Sequence, residues 1–111
     1  MDLNLQTSTE GDWTVIAVSG ELDLYTVTPL EDALSASVAK GDVRIALDLS
    51  QVGFMDSSSL GVLVAALKRT RERDGTVALV GVQGSPAKVL ALTGLDAVFA
   101  MAPTLDALPT A

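Results

Sequence analysis

Residues 54–61 read "FMDSSSLG", which sets the Asp56 carboxylate beside three consecutive hydroxyls, Ser57, Ser58 and Ser59. A second polar group, "GELD" at 20–23, places Glu21 and Asp23 behind Gly20. Hydroxyls beside an acid suit a nucleophile, a phosphate cradle, a phosphoacceptor or a plain helix start. A nucleophile needs a base. The chain has no histidine, Lys40, Lys68 and Lys88 lie in other segments, and the Gly-x-Ser-x-Gly elbow is missing. Cysteine is also absent, which removes thiolates, disulfides and cysteine metal sites together. No Gly-rich loop ends in Lys-Ser or Lys-Thr, and Asp56 already brings negative charge to the place an anion would take. Glu21 and Asp23, two apart on a strand, point the same way, and Asp56 is a third carboxylate for magnesium. Nothing nearby would bind the phosphates that usually complete such a site. The expectation is no enzyme, no metal and no cofactor.

Two readings of the serines remain. As a helix start, Asp56 caps first-turn amides and serines are tolerated beside it. As a phosphoacceptor, a first-turn serine would hold its phosphate near the positive end of the helix dipole, so the fold should accept it. The modification adds roughly -1.5 to -2 charges beside Asp56. A partner docked over that helix end would meet like charge and bulk, and a loss of only ~1.4 kcal/mol weakens binding tenfold.

The elements that must position these groups follow from periodicity. Leu3 and Leu5 alternate with Asn4 and Gln6, and after "EGD" the run Trp13 to Val18 is β-branched and apolar, which reads as a hairpin. "TPLEDALSASVAKG" predicts a helix with Thr28 as N-cap, Pro29 at the first helical position, Glu31 completing a capping box and Gly41 as the stop. A strand follows over 43–49, where Ala46 on the second face suggests a sheet covered on both sides. The longest helix spans 57–74, with Leu60, Leu63, Val64 and Leu67 on one face and Gly75 as its stop. Its basic run "KRTRER" (68–73) reads as a solvated end matched to the helix dipole. A strand over 76–82, a helix over 85–94, a short strand at 98–101 and a final turn at 104–108 complete the chain. The order β-β-α-β-α-β-α-β-α predicts an α/β fold with a mixed, largely parallel sheet of about five strands and right-handed crossovers. Sites in such sheets gather at the carboxyl ends of strands, where both polar groups fall.

A chain of 111 residues, 49% hydrophobic, is long enough to bury a core unaided. Its net charge of -7 disfavours nucleic acid, which needs a basic face, and suits solubility first or a basic partner second. The N-terminus lacks the basic and apolar regions of a signal peptide, and "LGVLVAAL" is too short to span a bilayer. A cytoplasmic protein without membrane insertion is expected.

"FMDSSSLGVLV", preceded by "GELD" and by "LDLSQVGF" at 47–54, resembles the STAS domain of bacterial anti-sigma factor antagonists. The resemblance covers nearly the whole chain and implies a single STAS domain over 1–111. It also implies a non-enzymatic protein that binds an anti-sigma factor serine kinase, freeing a sigma factor. Such a kinase inactivates the antagonist by phosphorylation, and a PP2C-type phosphatase reverses it. In the family the phosphorylated serine directly follows the motif's Asp, which makes it Ser57 here, with Ser58 the alternative because the chain departs from the pattern by carrying Ser59. By the same match Gly20, Glu21, Asp23, Asp56, Ser58 and Ser59 are expected partner contacts; Tyr25, in the segment "LYTVTP" that departs from the pattern, is either a further exposed contact or an amphipathic side chain that covers the core edge. The rival expectation is a non-phosphorylated STAS module serving as subunit or scaffold of a transport or sensor assembly.

Overall fold

The computed structural model describes residues 3–109. Apolar, β-branched runs form the strands β1 (Asn4–Glu10), β2 (Trp13–Leu22), β3 (Arg44–Met55), β4 (Thr76–Val80) and β5 (Ala100–Ala102). Segments with three- and four-residue spacing form the helices α1 (Thr28–Lys40), α2 (Ser57–Arg71) and α3 (Gly84–Thr93), and two 3-10 turns lie at Leu95–Ala97 and Leu105–Ala107. The five strands make one sheet in the order β1-β2-β3-β4-β5, antiparallel between β1 and β2 and parallel thereafter. The expected α/β fold is therefore present, with a 3-10 turn in place of the last helix.

Each parallel crossover advances one strand in the same direction, so right-handed connections put all three helices on one face. There Ile16, Val18, Ile45, Leu47, Leu49, Val77 and Leu79 meet Leu30, Leu34 and Val38 of α1, Leu60, Leu63 and Leu67 of α2, and Leu90 of α3. Each large aliphatic side chain buried there contributes about 1.5–3 kcal/mol relative to exposure. The opposite face is covered as well, as Ala46 suggested, but by the C-terminal segment. Trp13, Val15, Ala46, Ala78 and Val80 pack under Leu105 and Leu108 of the C-terminal segment. Trp13 Nε1 donates to the Pro109 carbonyl at 2.9 Å and Arg44 donates to the same oxygen at 2.8 Å, holding that segment down.

Several boundaries differ from those read off the sequence. β2 and β3 run four and six residues further, to Leu22 and Met55, because pairing with each other carries both strands past their last alternating apolar residues. The N-cap of α1 is Val27, with no side-chain cap bond, and Thr28 is the first helical residue. A turn built on Asp23 sets the helix entry instead. Gly41 does stop α1, in the left-handed conformation at φ 104°. At the end of α2 the left-handed residue is Asp74, φ 61°, rather than Gly75. Glycine is needed at 75 for another reason: a Cβ there would collide with the Val43 carbonyl. The basic run at the end of α2 is bonded to its neighbours as well as hydrated. Arg69 donates to the Ser35 hydroxyl, Arg71 to the Val98 carbonyl and Arg73 to the Val38 carbonyl in the last turn of α1.

Candidate functional site

The two polar groups meet at the carboxyl ends of β2 and β3. Gly20 pairs with Val52, Glu21 with Phe54 and Leu22 with Met55, after a register shift between Gly20 and Glu21. Gly20 sits at that irregularity with φ 117°, a conformation that a side chain would oppose. The Asp56 N–H then donates to the Leu22 carbonyl at 3.1 Å. Strand pairing thus brings "GELD" against "DSSS" across more than thirty residues of chain.

Asp23 shapes the segment that follows β2. Its Oδ1 accepts the Tyr25 N–H at 2.8 Å and the Thr26 N–H at 2.9 Å. Its own N–H donates to Thr26 Oγ1 at 3.0 Å, and that hydroxyl donates to the Glu21 carbonyl at 2.6 Å. An Asp accepting from the backbone two and three residues on is a self-contained turn. It projects Leu24 and Tyr25 outward, 64% and 88% exposed. Tyr25 therefore does not cover the core edge. Phe54, at the end of β3, is 43% exposed. Leu24 and Phe54 were not singled out in the sequence. An apolar residue between two acids, or one closing a strand, looks like core until the helices are seen to leave it uncovered.

Asp56 is the N-cap of α2, in extended conformation at φ -103° and ψ 174°. Its Oδ1 accepts the Ser58 hydroxyl at 2.6 Å, the Ser59 hydroxyl at 3.1 Å and the Ser59 N–H at 3.2 Å. The Ser58 hydroxyl is the main influence that holds this carboxyl below its ordinary value. What burial there is pushes upward, while the N–H and hydroxyl of Ser59 and the N–H of Leu24 pull it further down.

The three serines, equivalent in sequence, are distinct in space. Ser59 is fully buried, so its hydroxyl serves Asp56 and is not offered to the surface. Ser58 is exposed, but its hydroxyl is held by Asp56. Ser57, the first residue of α2, is exposed, and its hydroxyl has no partner among the described residues. It stands beside the Asp56 cap, at the positive end of a fifteen-residue helix. Among the described residues no three acidic side chains converge to hold a metal ion, and Asp23 Oδ1 is occupied by backbone amides. Such a surface can bind a protein and receive a group on Ser57.

Comparison with known proteins finds clear relatives of this chain. The profile of the STAS domain matches residues 4–108. An anti-sigma-B factor antagonist of Staphylococcus epidermidis is 36% identical over 95 residues, covering 86% of this chain and 88% of the relative. An anti-sigma factor antagonist from Mycobacterium paratuberculosis superposes with a TM-score of 0.82 at 33% identity, covering 94% of this chain and 88% of the other. The antagonist SpoIIAA in its unphosphorylated form shares the fold, with a TM-score of 0.79 at 24% identity over 93% of this chain and 90% of its own.

Proposed function

This chain belongs to the STAS domain family, and from that premise we propose that it is an anti-sigma factor antagonist switched by phosphorylation of Ser57. It binds an anti-sigma factor that is also a serine kinase, and the sigma factor held by that protein is released. The docking surface comprises Glu21, Asp23, Tyr25, Asp56 and Ser58, with Gly20 allowing close approach and Leu24 and Phe54 supplying apolar area. The kinase transfers the γ-phosphoryl group of ATP to Ser57 Oγ; the hydroxyl proton and ADP leave, and the complex is weakened. A PP2C-type phosphatase hydrolyses the phosphoester and restores binding. These events belong in the cytoplasm, where ATP and the transcription machinery are.

One observation carries the choice of residue: of the three hydroxyls, Ser57 alone is exposed and without a hydrogen-bond partner among the described residues. The physical logic of the switch is local. The first-turn amides of α2 and the helix dipole can hold a phosphate without refolding, while about two added negative charges beside Asp56 oppose any partner that has desolvated this surface.

The test is capture from the native cell lysate on wild-type and Ser57→Asp protein in parallel, with captured proteins identified by mass spectrometry. A protein bearing a serine-kinase domain should be retained by wild type and reduced at least tenfold on the variant, with far-UV circular dichroism unchanged. Equal capture by both, or capture of membrane transport subunits, would overturn the switch and favour a static scaffold module.

A further inference from the structure

Among the described residues the outer edge of β1 is open: β1 is the first strand of the sheet and pairs there only with β2. Exposed strand edges are usually blunted by lysine, proline or a bulge, because unpaired amides and carbonyls invite another strand. None of these devices is present here. The strand reads Asn-Leu-Gln-Thr-Ser-Thr-Glu, carries its one charge at its last residue, and pairs with β2 without a register shift. Six of its seven residues are exposed.

The direction of its free backbone groups follows from the hairpin. Glu10 and Trp13 face each other across the two-residue turn Gly11–Asp12, with Gly11 at φ 58°. A turn of that length makes the closing pair exchange both backbone bonds. Alternation then turns the N–H and C=O of Leu5, Thr7 and Thr9 away from β2.

We propose that this edge pairs antiparallel with the same edge of a second copy of the chain, about a two-fold axis at Thr7. In that register Thr7 faces its own mate and Leu5 faces Thr9, so all three outward residues on each strand exchange bonds with the other. The half-buried Leu5 gains the Thr9 methyl as cover. The charges agree with this occupant: Glu10 falls opposite Asn4, Gln6 opposite Ser8, and no two like charges within the strand are opposed. The interface is one strand wide, below the area of a standard stable complex, so the dimer is weak and forms at high concentration. The net charge of -7 per copy makes added salt strengthen it. Because β1 lies on the side of β2 away from β3, the inference is independent of the phosphorylation reading.

The test is sedimentation equilibrium of the full chain from about 10 µM to about 1 mM, a range that covers weak association. The mass should rise from the 11.4 kDa monomer toward twice that value, more so at higher salt. Thr7→Glu puts two carboxylates face to face on the axis, and Thr7→Pro removes an outward N–H at a position where an edge strand tolerates proline; both should remain monomeric at the top concentration. Amide exchange of wild type supplies a measure that needs no variant: Leu5, Thr7 and Thr9 should become more protected as concentration rises. A wild type that stays monomeric throughout, protection that does not change with concentration, or a folded Thr7→Glu that dimerises like wild type would each overturn the proposal.

Discussion

α2 and α3 occupy equivalent places in the topology. Each follows a parallel strand and carries serine in its first turn, "DSSSLG" in one and "GSPAKV" in the other. Their starts are physically unlike. Asp56 caps α2 through its side chain and gathers Ser58 and Ser59 around one oxygen. α3 begins after Gln83, whose side chain makes no cap bond, and Gly84 supplies the left-handed turn at φ 63°. Ser85 is half-buried and Pro86 is buried. Beside α2 lies the end of β2 with Glu21, the Asp23 turn and the exposed Leu24 and Tyr25. A serine at a helix start is therefore not a site in itself. What distinguishes α2 is an exposed, unbonded hydroxyl beside a capped acid and a second surface loop.

The sharpest way to break this contrast is phosphate incorporation by the cognate kinase. Ser57→Ala should abolish it, and Ser85→Ala should leave it unchanged; residual incorporation in Ser57→Ala would move the acceptor to Ser58. The next largest effect is on stability. Asp56→Ala removes the cap and should cost ~1 kcal/mol, lowering the melting temperature by about 4 °C for a domain near this size. Gln83→Ala should stay within about 0.5 kcal/mol. Equal losses at the two caps, read by thermal denaturation, would erase the distinction.

The smallest effect is in the acid limb of the stability curve. The Asp56 carboxyl is lowered from 3.8 in the folded chain, so the unfolded chain binds its proton more readily. Stability from Asp56 is then complete above about pH 4 and is lost as pH falls through the folded value. Asp56→Asn should keep much of the capping geometry yet flatten urea midpoints below about pH 4. An unaltered acid limb would show that the Ser58 and Ser59 bonds do not favour the carboxylate.

The elements themselves were largely legible, since periodicity and punctuation act over a few residues. Leu30, Leu34 and Val38, or Ile45, Leu47 and Leu49, announce their shared faces by spacing alone, and all six are buried. Asp56 as an N-cap was equally readable, because it depends on neighbours two and three residues away. Long-range effects were hidden. Nothing local says that β3 continues to Met55, that Val43 approaches Gly75 too closely for a Cβ, or that Leu105 and Leu108 cover the second sheet face.

By itself, then, the sequence determined the α/β order, the helix faces and the absence of histidine and cysteine chemistry. These are matters of composition and of interactions between near neighbours. Only the tertiary structure decided that Ser59 is buried, that Ser58 is held by Asp56 and that Ser57 stands free. Three adjacent and identical residues differ only in direction, and direction is settled by how a helix start meets the strands beneath it.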